Sequence, residues 1–232
     1  MIVGSGLLAR SFADAYSQRD DVCIYAAGVS NSACKSSDEF ARERQRLADA
    51  LRTAHHVGVF VYFGTCSVAD PDAQDMSYVQ HKLAMEGLVQ AHPQGLVIRL
   101  PQVAGKAFNT HNLLNYLYAR ISRSECFELW SKAKRNIIDV GDVAAIANYL
   151  IADKTVRNTT INVANTVNYS MQDIVHAMER AVGKQALFDA AERGHEYPIN
   201  VERIIPMLVK AGVVFDSTYL DKVIGKYYGM AT

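Results

Sequence analysis

Three side chains in this sequence have the types and spacing to move a proton: Thr65, Tyr78 and Lys82. Tyr78 and Lys82 are four residues apart, which on a helix stacks them on one face. An ammonium beside a phenol favours the phenolate and lowers its pKa. A tyrosine tuned downward from about 10 can exchange a proton with a substrate hydroxyl or carbonyl near neutral pH. The Thr65 hydroxyl could hold the same substrate oxygen. Taken alone, Y-x-x-x-K is also a common exposed pair on helices, so its meaning depends on its neighbours. His81 lies between the two in sequence and is expected to point away from both.

The elements around these residues suit an α/β sheet. Val57 to Phe63 is an almost unbroken apolar, β-prone run, as in a central parallel strand covered on both faces. Gly64 is expected to end it. Thr65, Cys66 and Ser67 then fall at the strand's carboxyl end, where open α/β sheets place their ligands. Tyr78 opens a helical pattern that continues to about His92.

At the start of the chain, Met1–Val3 reads as a strand stub, followed by Gly4-Ser5-Gly6-Leu7-Leu8-Ala9 and a helical pattern to Tyr16. This is G-x-G-x-x-A between strand and helix. The first glycine permits the tight turn, and the second lets backbone approach a pyrophosphate. Ala9 allows helix to pack on strand, and the helix N-terminus supplies partial positive charge. Gly4, Gly6, Leu7 and Leu8 are therefore candidate cofactor contacts.

The next apolar run, Asp21 to Ala27, ends in Ala27-Gly28 and arrives early for a dinucleotide fold. A ribose-binding acid is expected about 20 residues past the glycines, closing a second strand. Asp20 and Asp21 precede their strand, so neither takes that role.

A helix follows, opened by Ser36 with Glu39 three residues on. Phe40, Leu47, Leu51 and Ala54 form its apolar face, with Arg42, Glu43, Arg46 and Asp49 expected in solvent. Leu96–Leu100 reads as a strand closed by Pro101, and Asn112–Ile121 as a helix. Phe127–Trp130 and Asn136–Val140 are strand-like. Asp142 is expected to cap a helix over 143–151. Thr160–Ala164 reads as a strand, and Ser170 as the cap of a helix over 171–182 that Gly183 ends. Further helix lies between 196 and 228, broken by Pro198 and Pro206.

Bulk composition narrows the classes. The 232 residues are 50% apolar and 21% charged, with Lys+Arg and Asp+Glu balanced at 24 each. That balance gives no pull toward nucleic acid or an anionic membrane. No stretch approaches the roughly 18 apolar residues of a spanning helix. Cys23, Cys34, Cys66 and Cys126 show neither zinc spacing nor a disulfide framework. A cytoplasmic protein with reduced thiols and no metal is expected. His55 and His56 suit a helix C-terminus. Cys66 reads as an inert buried thiol, with a substrate-facing thiol as the rarer alternative, and Trp130 as core or lobe packing or as a ring stacking on a base or sugar.

Together these residues resemble the extended short-chain dehydrogenase/reductases, in particular the NAD-dependent epimerase/dehydratase group acting on nucleotide sugars. Gly4–Ala9 is similar to its glycine motif, one residue shorter, and Ala26-Ala27-Gly28 to its cofactor-lining strand end. Thr65, Tyr78 and Lys82 fall where that family has its catalytic Ser/Thr, Tyr and Lys. Arg99–Gly105 is similar to R-x-x-N-V-x-G, with Gln102 replacing the Asn that meets the sugar nucleotide. Arg135 with Ile138–Val143 resembles R-x-x-x-V-x-D-V of the substrate lobe, and Asn162-Val163-Ala164 a further strand motif. The motifs keep the family's order over almost the whole length.

The resemblance implies a Rossmann-like doubly wound parallel sheet, reduced in strand number, with a smaller C-terminal α+β substrate lobe. Residues 1–105 would bind NAD or NADP, and 106–232 would form mainly the lobe, with some segments returning to the core. Gly4, Gly6, Leu7, Leu8, Ala27, Gly28 and Lys82 would hold the cofactor. Ser67, Gln102 and Arg135 would hold a nucleotide-sugar substrate. The second strand, its helix and the third strand of that fold are missing. Cys66-Ser67 stands where the family's dehydratases carry Asp-Glu, and elimination of water lacks its proton donor without them. The expected activity is therefore an oxidoreductase or epimerase of nucleotide sugars in surface-polysaccharide synthesis. The alternative is a catalytically reduced nucleotide- or sugar-nucleotide-binding module that partners an active homologue. The helices over 40–54 and 78–92 correspond to those that pair in the family's dimers, so a homodimer is expected.

Overall fold

The structure is a computed structural model and describes residues 1–106 and 112–229. The chain begins with β1 (Ile2–Val3), α1 (Leu7–Ser11), α2 (Ala13–Tyr16), β2 (Val22–Tyr25), α3 (Ser37–Thr53), β3 (Val59–Thr65), α4 (Ser77–Gln90) and β4 (Gly95–Leu100). It continues through β5 (Gln102–Ala104), α5 (Leu113–Ser122), β6 (Phe127–Trp130), β7 (Lys134–Arg135), β8 (Ile137–Asp139) and α6 (Val140–Ala152). The remainder is β9 (Thr159–Asn162), β10 (Tyr169–Ser170), α7 (Met171–Val182), β11 (Phe188–Ala191), α8 (Ile205–Ala211) and α9 (Tyr219–Tyr228).

The main sheet runs β1-β2-β3-β4-β9, every pair parallel. Both faces are covered, which is why β3 is buried at every residue and reads as continuous apolar sequence. Alternate side chains divide between the faces. Val22, Ile24, Val59 and Val61 meet Phe12, Tyr16 and α6 on one side. Cys23, Tyr25, Phe60 and Tyr62 meet Leu47, Ala50, Met85 and Val89 of α3 and α4 on the other.

The β1–β2, β2–β3 and β3–β4 connections all step the same way across the sheet. Yet α1 and α2 lie on one face, whereas α3 and α4 lie on the opposite one. The first crossover therefore has the opposite hand to the next two. Such crossovers are right-handed in about 98% of cases, which makes the β1–β2 connection the left-handed one. A crossover stepping outward from β1 on the α1–α2 face would have the usual hand. Among the described residues no strand lies beyond β1, in keeping with the shortened cofactor half.

A second core joins α5, α7 and α9 to the small paired strands, with Leu114, Leu117, Ile174, Met178, Val223 and Ile224 at its centre. There β5 pairs β8 and β6 pairs β11 in parallel, and β7 pairs β10 antiparallel.

Several local expectations are corrected. β3 runs on through Gly64 and Thr65; Gly64 stays in the strand because the Glu86 carboxylate fills the space of a β-carbon. The cap of α6 is Asp139, accepting from Gly141 N at 2.6 Å, and Asp142 sits in its first turn. Pro206 lies in the first turn of α8 and starts that helix instead of breaking one. Glu43, expected in solvent, is 2% exposed. The Ser170 cap and the Gly183 stop of α7 stand as read, with Gly183 left-handed at φ 70°.

Candidate active site

The carboxyl ends of the sheet strands open into a cleft of about 460 Å3. Gly6, Leu7 and Leu8 line one end, and Thr65, Tyr78 and Lys82 line its floor. Ser67, Gln102 and Arg135 border it toward the second core. Gly28 also lines the cleft, with Ala26 beside it, while Ala27 faces a neighbouring pocket on α3. Gly4 shapes the turn from outside the lining. Its φ is +123°, and a β-carbon there would lie 2.5 Å from the Ala26 carbonyl oxygen.

Thr65 ends β3, and Tyr78 enters the first turn of α4. Both line the cleft, Thr65 Oγ1 accepts from Ser67 N at 3.1 Å, and Tyr78 is buried. The expected acidification of the phenol is not found. Burial pushes the Tyr78 hydroxyl up to about 12; the Thr65 hydroxyl lowers it in part, and the Glu43 charge raises it further. The cause lies in the orientation of Lys82. Its Nζ donates to Tyr62 Oη at 3.1 Å and to the Phe63 carbonyl at 3.4 Å, with Glu43 Oε1 at 3.5 Å. Its distance to the Tyr78 ring centre is 6.0 Å.

Glu43 is the residue that sequence reasoning misplaced. Its carboxylate accepts from Val29 N at 2.6 Å and from Tyr62 Oη at 2.9 Å, and lies 2.9 Å from His81 Nε2. Burial alone would raise its pKa, but the His81 hydrogen bond, the Lys82 charge and the other donors bring it down to about 2. His81 therefore does not point away from the pair: it holds the carboxylate that faces Lys82, and its ring stacks on Phe40 at 4.4 Å.

The far wall comes from a segment after β11. Tyr197 lines the cleft, as Ser67 does. Its neighbour His195 reaches Asp70 at 2.8 Å and Asp72 at 3.1 Å across the mouth. Asn136 lies under Arg135 and fixes the 165–168 turn through its side-chain amide. None of these belongs to a motif legible in the sequence. Cys66 is buried, and burial pushes its thiol up to about 12. Trp130 is 42% exposed on β6 and does not line the cleft. Among the described residues no aspartate or glutamate lines the cleft, whereas Arg10, Lys82 and Arg135 do.

The residues fit the pyrophosphate and nicotinamide half of a dinucleotide. No side chain caps α1 at Gly6, and a β-carbon on Gly6 would meet nothing within 4 Å, which leaves its backbone open to the cleft. The cleft then runs without interruption to Tyr78 and Lys82. On the adenosine side the sheet stops at β1.

Residues 6–164 match the model of the NAD dependent epimerase/dehydratase family. The UDP-N-acetylglucosamine 4-epimerase from Bacillus cereus is similar over 97% of this chain and 96% of its own, at 16% identity and a TM-score of 0.72. The UDP-glucuronic acid 4-epimerase from Bacillus cereus, in complex with UDP-glucuronic acid and NAD, is similar over 96% of this chain and 77% of its own. Its identity is 15% and its TM-score 0.73. RMD from Pseudomonas aeruginosa, complexed with NADPH, is similar over 93% and 81%, at 16% identity and a TM-score of 0.68. At these identities the likeness is one of fold. A comparison with curated protein sequences gave no match.

Proposed function

Because this chain belongs to the NAD dependent epimerase/dehydratase family, we propose that it is an NAD- or NADP-dependent oxidoreductase or epimerase of a nucleotide-activated sugar. The observation that carries this reading is one continuous cleft that joins the Gly6 turn to Thr65, Tyr78 and Lys82. The cofactor supplies hydride transfer at its nicotinamide when bound. Tyr78 exchanges the proton of a sugar hydroxyl through its phenol oxygen, and Thr65 orients that oxygen. Gly6, Leu7 and Leu8 offer backbone to the pyrophosphate, Gly28 gives close approach, and Lys82 holds a ribose hydroxyl. Ser67, Gln102 and Arg135 bind the nucleotide sugar, whose diphosphate suits a lining with cations and no carboxylate.

The same lining supports epimerase or reductase over dehydratase. Elimination of water calls for an acid beside the leaving group, and Cys66, with its thiol near 12, is a poor one. A role in surface-polysaccharide synthesis rests on family analogy. The expected homodimer through α3 and α4 is part of this reading; Gln80, Ala84 and Gly87 on the solvent side of α4 leave room for a second helix.

Calorimetric titration with NAD(H) and NADP(H), followed by turnover assays on UDP- and dTDP-sugars, tests the reading. Tight cofactor binding that survives Tyr78→Phe while turnover falls by about 10²–10⁴-fold supports it. The second reading, a binding module without turnover, draws on the sheet ending at β1 and the high phenol pKa. Nucleotide-sugar binding with no dinucleotide binding would favour that module.

A further inference from the structure

Lys82 is 3% exposed, yet it carries the charge that the proposed chemistry uses. Burying an ammonium without a partner is costly enough that the group ordinarily gives up its proton. The groups facing it can be named element by element. From β3 come Tyr62 Oη and the Phe63 carbonyl, both neutral. From α4 itself come the Tyr78 ring and, farther off, Glu86, whose carboxylate is forked onto Arg99. From the loop after β2 comes Gly28, which has no side chain. From α3 comes Glu43, the carboxylate at 3.5 Å.

Glu43 is in turn held on both of its carboxylate oxygens and at its backbone carbonyl. Val29 N, Tyr62 Oη and His81 Nε2 fix its two oxygens, and Tyr25 Oη donates to its backbone carbonyl at 3.2 Å. So fixed a carboxylate, brought from a different helix, is more than an incidental partner. Resting on the enzymatic reading above, we propose that Glu43 is the positioning residue of this site: it keeps Lys82 cationic and aims its ammonium along the cleft floor between Tyr62 and Gly28. The direction of each electrostatic effect agrees. Burial depresses the Lys82 pKa, and the Glu43 charge and hydrogen bond oppose that depression.

The test follows the Lys82 side chain by NMR in protein carrying 13C-labelled lysine, titrated with pH in wild type and Glu43→Gln. The Glu43→Gln/Lys82→Met double variant assigns the signal by its absence. The midpoint of Lys82 is expected to fall by at least about one pH unit in Glu43→Gln, and the alkaline limb of the turnover profile to move with it. An unchanged midpoint in folded Glu43→Gln overturns the proposal. Should Glu43→Gln fail to fold, the double variant, which leaves no unpaired ammonium, is expected to fold. Its failure to fold would assign Glu43 to packing and also overturn the proposal. The midpoint is read without turnover, so a chain that binds no dinucleotide refutes the enzymatic reading and leaves the Glu43–Lys82 result to be judged separately.

Discussion

The Cα of Gly28 sits against the Lys82 ammonium: a β-carbon on residue 28 would lie 2.6 Å from Lys82 Nζ and 2.9 Å from Glu43 Oε1. The space a β-carbon would need there is occupied by the buried ion pair. Gly28→Ala is expected to displace Lys82 at a cost of about 1–3 kcal/mol, typical of overpacking. Urea unfolding measures that cost. Calorimetry with NAD(H) or NADP(H) is expected to show weakened cofactor binding in the folded variant, and unchanged affinity would mean that Lys82 need not stay where it is.

Alkaline stability follows from the raised pKa values of buried acids. Unfolded tyrosine releases its proton near pH 10, whereas folded Tyr78 holds it to about 12. The contribution of Tyr78 is thus complete below pH 10 and is lost as pH rises toward 12. Cys23 and Cys66 act in the same sense from about pH 9, each held up to about 12 by burial. Urea midpoints between pH 8 and 12 are expected to fall less steeply in Tyr78→Phe and in Cys66→Ala than in wild type. Equal slopes would show that these groups are not buried as neutral acids.

The elements were legible where local chemistry decides them. β3 announces itself by an apolar run, α7 by Ser170 and Gly183, and the turn at Gly4–Ala9 by its glycines. The floor of the cleft was not legible, because it depends on where two helices face each other. Glu43 reads as a charged surface residue, yet it falls in phase with Leu47, Ala50 and Ala54, one stripe of α3 that turns inward. That phase was the available signal, and the residue's charge masked it. Tyr197 and His195 carry no signal at all: they reach Ser67 and Asp70 only through the path of the chain after β11. The direction of the Tyr78 shift failed for a related reason. Spacing places an ammonium on the same helical face as the phenol, but a partner from α3 draws that ammonium away.

Arg99, part of a motif associated with substrate, serves the core. Its guanidinium is forked onto Glu86, with Nη2–Oε2 at 2.7 Å and Nε at 3.1 Å from both oxygens. Glu86 is 2% exposed and packs against Gly64 of β3. Arg99→Met strands this carboxylate and is expected to cost about 3–5 kcal/mol, whereas the Arg99→Met/Glu86→Met pair should recover most of that loss. Denaturant unfolding of the single and double variants checks the difference, and equal losses would refute the pairing argument.

His195 ties the far wall of the cleft to the near one. Its Nε2 lies 2.8 Å from Asp70 and its Nδ1 3.1 Å from Asp72, both on the stretch that follows Ser67. Two residues on, Tyr197 lines the cleft together with Ser67. Asp72 is largely exposed, so its contact is worth only about 0.2–1 kcal/mol. Contacts of this size hold the segment in place without deciding the fold. His195→Ala is accordingly expected to raise KM for the nucleotide sugar by about two- to tenfold, with kcat and cofactor affinity unchanged. A fall in kcat with KM constant would instead mean that the wall acts in the transition state, and would move Tyr197 from substrate retention to the chemistry itself.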